Sequence, residues 1–187
     1  SNPVDVNVTV QFSTTNTTAT TGDNDYVGIV SQTVTFLAGT TTSQSVPVTI
    51  NNDNKVEGDE IYNINIGTLN ASGRNVELGT TAVAGTILND DNATVTLTGT
   101  TSVPEGNSGQ SPVVFTATLN NPVQGGFTVF FSTNDGTATT ANNDYDDNDG
   151  AFAFAGTAGE IQTITVQVNG DQNIEPNETF TVAINSL

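Results

Sequence analysis

The chain contains no cysteine, histidine, methionine or tryptophan, and Lys55 and Arg74 are the only basic side chains among its 187 residues. Each absence closes a class of chemistry. Without cysteine there is no thiol nucleophile, and without histidine no Ser-His-Asp relay can form. A zinc site built on imidazole or thiolate is excluded with them. Two cations stand against 20 Asp and Glu, for a net charge of −18. A nucleic-acid partner needs a basic footprint, so that class is excluded, and anionic membrane surfaces are disfavoured for the same reason. No apolar run reaches the 18 residues of a membrane span, so no membrane insertion is expected in this segment. Neither a signal peptide nor a lipidation signal is evident, and the segment reads as excised from a longer parent chain. Lack of cysteine suits an exported bacterial protein, so the expected location is extracellular or at the cell surface.

What is present is Thr, Asn, Asp, Gly and Val in alternation. "VNVTVQFS" (6–13) sets Val6, Val8, Val10 and Phe12 on one face. "SVPVTI" does so with Val46, Val48 and Ile50, and "YNINI" with Tyr62, Ile64 and Ile66. The later runs "VVFTATL", "FTVFF", "ITVQV" and "FTVAI" repeat the period of two, which is that of half-buried strands. No window of 12 residues carries a helical stripe. Short strands between Gly, Asn and Asp turns predict an all-β fold of antiparallel sandwiches.

The two halves are repeats. "VTVQFSTTNTTATTGDNDY" (8–26) aligns without gaps on "FTVFFSTNDGTATTANNDY" (127–145), and after a one-residue deletion Glu57 meets Glu175 and Glu60 meets Glu178. The expected domains are 1–92 and 93–187. Repeat 1 shows no counterpart of the strands at about 93–103 and 112–119, and repeat 2 none of "TAVAGTIL" (81–88). Both sandwiches are therefore expected to be incomplete at their outer ends. Exposed strand edges there predict self-association, with neighbouring repeats of the parent chain as natural partners.

"DNKVEGDE" (53–60) and "DQNIEPNE" (171–178) both read D-x3-E-x2-E just before a strand. If consecutive strands run antiparallel, chain parity collects acidic residues at one end of each repeat. Asp25, Asp53, Glu57, Glu60, Asp90 and Asp91 share one end of repeat 1. Glu105, Asp144, Asp171, Glu175 and Glu178 share one end of repeat 2. Like charges so close ask for a cation. Ca2+ accepts about 6–8 oxygens in a flexible shell that loops can supply, whereas Mg2+ demands a tighter octahedron. No EF-hand loop is present.

These residues carry a resemblance. "GTATTANNDY", "VEGDEIYNI", "IEPNETFTV", "TILNDD" and "SVPEG" resemble the Calx-beta domain, a module shared by sodium/calcium exchangers, integrin β4 and bacterial surface proteins. The resemblance covers nearly the whole chain as two units. It implies an immunoglobulin-like sandwich with Ca2+ held at one tip. The implied ligands are Asp25 and Asp144 before Tyr, the two acidic turns, the closing "NDD" of repeat 1, and Glu105. The paired Asp expected before each acidic turn is here Asn52-Asp53 and Gly170-Asp171, one charge fewer in each. Repeat 1 lacks the early Glu, and repeat 2 lacks the closing triplet.

Structural readings stand beside these. The acidic turns could be solvated loops, or carboxylates that accept backbone N–H groups. Asp25 and Asp144 could be turn residues ahead of core tyrosines, Asp90 and Asp91 a plain linker, and Glu105 an exposed edge residue. "DYDDNDG" (144–150) reads as a solvated, mobile loop, and Lys55 as a partial internal substitute for a cation. The function expected is a calcium-binding repeat module of a bacterial surface or secreted protein, a Ca2+-stiffened spacer or adhesion segment. A metal-free structural spacer is the alternative. A glycosidase using paired carboxylates is a remote third. It is opposed by the absence of Trp for sugar stacking and by nine Phe and three Tyr placed mostly at core positions. No enzyme activity is expected.

Overall fold

The computed structural model describes residues 3–185, so the outermost two residues of each expected repeat lie outside it. The chain divides into two compact units. Unit 1 comprises Ser1–Asp53 and Gly58–Asp90, and unit 2 comprises Asn54–Glu57 and Asp91–Leu187. Every pair of strands is antiparallel, and no α-helix occurs among the described residues. The all-β expectation is met.

Unit 1 is built on one four-stranded sheet. Its strands are β1 (Val8–Asn16), β2 (Gln32–Phe36), β3 (Glu60–Asn70) and β4 (Ala82–Ile87), in the order β2-β1-β3-β4. The alternation read in the sequence sets the buried face: Val8, Val10, Val34 and Tyr62 are buried. Tyr26 and Tyr62 stack with ring centroids 4.7 Å apart, over Ala19 and with Val48, Ile64 and Ile87 around them.

Unit 2 is a two-layer sandwich. One sheet orders β10 (Phe180–Ile184), β7 (Phe127–Asp135) and β8 (Gly150–Phe154). The other orders β5 (Val95–Gly99), β6 (Gln110–Leu119) and β9 (Ile161–Asn169). Ala117, Leu119, Val129 and Phe154 form one core cluster, and Ala138, Tyr145, Ile164 and Val166 the other. Ile164 and Val166 are 1% and 0% exposed. Burying such a side chain contributes about 1.5–3 kcal/mol.

The expected strand over 44–50 does not form. Within it only Ile50 makes a bridge, to Tyr26, with Val27 N–H donating to the Thr49 carbonyl at 2.9 Å. Its counterpart in unit 2 is β9, which is laddered along its whole length on β6. No strand lies beside 44–50 as β6 lies beside β9 among the described residues. Pro47, at the position of Thr165, also removes a donor. Val48 still packs on the core of unit 1, so the segment keeps its burial without its ladder.

Candidate metal centre

The dipeptides "ND" ahead of Tyr26 and Tyr145 fold identically. Asn24 and Asn143 sit in the left-handed region, at φ 70° and 66°. Among non-glycine residues, Asn tolerates that conformation best. In unit 2 it closes a short 3-10 helix, Thr140–Asn142, whose N-cap is Thr139. The following aspartate turns its carboxylate back on the same loop. Thr20 N–H donates to Asp25 Oδ2 at 2.5 Å, and Thr139 N–H to Asp144 Oδ2 at 2.7 Å. Asp25 is buried and Asp144 half-buried. The tyrosine then enters the core and its hydroxyl returns to the loop, to Asn16 Oδ1 in unit 1 and to Asp135 Oδ1 in unit 2, both at 2.7 Å. The turn reading of Asp25 and Asp144 is thus realised. A carboxylate offers about four lone-pair sites, so one N–H leaves capacity for a cation.

Three loops of unit 2 then meet. Glu105, Asp171 and Glu175 form one group, and Asp144, Glu175 and Glu178 a second that shares Glu175. In each group one carboxylate oxygen per residue lies within 4.8 Å of the others. All five residues that chain parity assigned to this end are brought together. Gly170 makes the approach possible: its N–H donates to the Gly109 carbonyl at 2.9 Å, and a Cβ there would fall 2.8 Å from the Glu105 carbonyl oxygen. Asp171 accepts the Asn173 N–H at 2.6 Å, which shapes the start of the acidic turn.

Crowding has an electrostatic consequence. Lost hydration, then the like charges of Asp171, Asp144 and Glu105, hold the Glu175 carboxyl above the usual glutamate range. Glu178 is raised too, by lost hydration, then by the charges of Asp144 and Glu175, by a hydrogen bond with Asp144 and by Glu105. Two carboxyls can share a hydrogen bond only through a proton. A divalent cation at the same place would offset the repulsion while leaving the carboxylates ionised.

The remaining expected residues fall in both units. Asp25, Asp53, Glu60 and Asp90 belong to unit 1, and Glu57 and Asp91 to unit 2. Within unit 1 alone, no three acidic side chains come together among the described residues. Glu60 is buried, at 8% exposure, and Asp59 accepts the Asn89 N–H at 3.1 Å. In unit 2, Lys55 Nζ lies 2.6 Å from Glu57 Oε1, which also accepts from Gln124 Nε2 at 3.3 Å. The internal cation read in the sequence therefore reaches a carboxylate. Asp23 was not singled out by the acidic spacing, because it stands outside the repeated motif: unit 2 has Asn142 there.

The loop 144–150 departs from expectation. Its carboxylates are tied rather than merely solvated: Asp149 Oδ1 accepts the Thr133 N–H at 2.9 Å, and Asp147 accepts the Thr133 hydroxyl. Asp146 accepts Gln110 Nε2 at 2.8 Å and Asn169 Nδ2 at 2.9 Å. Thr133 and Gln110 are the signals that read as ordinary strand residues in the sequence. Their partners lie 14 to 36 residues away.

Comparison with curated protein sequences returns no match. Among solved structures, the chain is similar to the crystal structure of CBD12 from CALX1.2, at 20% identity and a TM-score of 0.43, over 99% of this chain and 70% of that one. It is likewise similar to the calcium binding domain CBD12 of CALX1.1, at 18% identity and a TM-score of 0.43, over 99% and 68%. The family model described as the Calx-beta domain matches twice, over residues 1–92 and 89–187. Two matches that together span the chain, on a repeat whose Asn-Asp-Tyr turns both fold the aspartate back onto a threonine N–H, make this a tandem member of the Calx-beta domain family.

Proposed function

We propose that the acidic end of unit 2 binds Ca2+ through Glu105, Asp144, Asp171, Glu175 and Glu178. Calx-beta domains are calcium-binding modules. The single observation that carries the reading is the convergence of five carboxylates from three loops into two groups sharing Glu175. Hard oxygen ligands supplied by loops match Ca2+ better than Mg2+, and the like charges that raise the Glu175 and Glu178 carboxyls are of the sign a cation would offset. For unit 1 the proposed ligands are Asp25, Asp53, Glu60 and Asp90. The proposed domains are 1–92 and 93–187.

In this reading the chain is a binding module and not an enzyme. It serves as a Ca2+-stiffened spacer or adhesion segment of a secreted or surface-displayed bacterial protein, alongside neighbouring repeats and with self-association through strand edges. A second reading, a metal-free spacer, is favoured by one specific observation: Asp144 and Asp171 already accept backbone N–H groups.

Titrating Ca2+ into the 15N-labelled chain and following its amide resonances tests the proposal. Shifts concentrated in residues 104–108, 139–146 and 170–178 are expected. An unchanged spectrum at about 10 mM Ca2+, beyond the range of extracellular calcium modules, would select the metal-free spacer.

A further inference from the structure

The outer face of the sheet β5-β6-β9 carries a regular grid. The inward residues of these strands, among them Leu97, Ala117, Ile164 and Val166, pack in the two core clusters of unit 2. The residues that alternate with them face away from the core. Thr96 stands opposite Thr118, and Thr118 opposite Ile161. Thr98 stands opposite Thr116, and Thr116 opposite Thr163. Val114 stands opposite Thr165, and its carbonyl accepts the Thr100 N–H at 3.2 Å, which continues the register into a third rank. Of the nine side chains in these three ranks all but two are Thr, and those two, Val114 and Ile161, share its branched Cβ. They are 41% and 58% exposed. The threonines of the outer strands are exposed, and Thr116 and Thr118 on the central strand are half-buried.

Strand preference for branched residues does not account for this regularity. The outer face of the other sheet is under the same preference, and it sets Phe130 opposite Ala151, Thr128 opposite Ala153 and Ser132 opposite Ala183. The grid also holds no charge, in a chain with 20 Asp and Glu. Neighbouring strands lie about 4.7–4.9 Å apart, and alternate residues along a strand about 6.6–6.8 Å apart. With three strands, twist accumulates over two pairs only. The prism face of hexagonal ice repeats its oxygens at close to these two spacings. Each Thr offers a methyl that restricts the water beside it and a hydroxyl that donates and accepts. The Thr98 hydroxyl lies 3.5 Å from the Thr116 carbonyl, too long to commit it to the protein.

We infer that this face is an ice-binding site, which adsorbs to the prism plane of an ice crystal through a layer of ordered water. The methyl rows hold that water in register with the crystal, and the hydroxyls tie it to the sheet. A polysaccharide surface would call for stacking aromatics, and the grid has none. The inference goes beyond the Ca2+ reading and does not depend on it, since none of the acidic ligands belongs to the grid.

The test grows a single ice crystal in a solution of the whole chain, labelled with fluorescein at its N-terminus, in chelator and with labelled serum albumin as the control. Uptake into the ice, the plane that takes it up and the gap between melting and growth temperatures are read. The parent should accumulate on prism planes and open that gap. Thr98→Lys/Thr163→Lys, which puts two ammonium groups in the middle rank, should lose both effects while melting as the parent does. Phe130→Lys, on the opposite face, should keep them. Should the lysine pair fail to fold, Thr98→Ser/Thr163→Ser keeps the hydroxyls, removes two methyls, and should still lower the uptake. Exclusion of the parent from ice to the level of albumin overturns the site. Uptake by the folded Thr variants equal to that of the parent overturns it as well, and adsorption to the basal plane alone overturns the match in spacing.

Discussion

Gly170 and Glu105, 65 positions apart, are in backbone contact: a Cβ on the glycine would lie 2.8 Å from the glutamate's carbonyl oxygen. This contact brings the loop after β5 onto the loop after β9, and with it Glu105 to Asp171 and Glu175. The position that lacks a second acidic residue is thus one where no side chain fits. Gly170→Ala should destabilise the chain by about 1–3 kcal/mol in denaturant melts. It should also weaken Ca2+ binding, since Glu105 would be displaced. A variant as stable as the parent would remove this account of the loop junction.

Neutralising Glu175 and Glu178 should act oppositely with and without Ca2+. In chelator, Glu175→Gln/Glu178→Gln should melt higher than the parent, because it removes the like charges that raise both carboxyls. In Ca2+ the parent should gain stability, about 1.4 kcal/mol at tenfold excess over Kd, and the variant should gain none. Thermal melts in the two buffers decide it. A lower melting point of the variant in chelator would mean that the carboxyls are structural acceptors first.

The two tyrosines provide an internal control. Tyr26 donates to the neutral Asn16 and Tyr145 to Asp135, whose carboxyl is held below its ordinary range first by that bond. Hydrogen bonds to charged acceptors are stronger than neutral ones. Tyr145→Phe should therefore cost more than Tyr26→Phe, for which about 1 kcal/mol is expected. Equal losses in chemical denaturation would show that ring packing, not the acceptor, carries both sites.

Much of this was readable from the chain. Eight of the ten strands, all but β2 and β8, were expected in outline from the sequence, and β1 and β3 present the faces set by Val8, Val10 and Tyr62. Parity alone collected the five acidic residues of unit 2, since strand direction is a long-range constraint that a local pattern fixes. Residues 44–50 misled because their alternation is genuine while a strand needs a neighbour, and no local signal reports one. The carboxylates of Asp146, Asp147 and Asp149 looked solvated because their donors, Gln110, Asn169 and Thr133, are distant in sequence. The grouping of Asn54–Glu57 with unit 2 had no sequence signal at all: it follows from Val56 bridging Val123, a contact across 67 residues.

Glu160 sets the acid response at a site apart from the cluster. It accepts the N–H groups of Ala155 at 2.9 Å, Gly156 at 3.0 Å and Thr157 at 3.3 Å. The Ala155 bond is the largest influence holding its carboxyl below the ordinary value of 4.5. A carboxyl depressed in the folded state stabilises it above the unfolded value, and that contribution is lost as pH falls through the folded one. Glu160→Gln should therefore be less stable than the parent at pH 7, and the two should converge as pH falls below about 4. A constant gap from pH 7 to pH 3 would contradict the assignment.

The central claim is that the acidic end of unit 2 is a calcium site, and calorimetric titration of Ca2+ into the parent and into Glu175→Gln/Glu178→Gln tests it most directly. The account predicts saturable binding to the parent at about 10⁻⁴–10⁻³ M, with the unit 2 site lost in the variant and Mg2+ a weak competitor. Absence of binding to the parent, or the same isotherm for parent and variant, would contradict it.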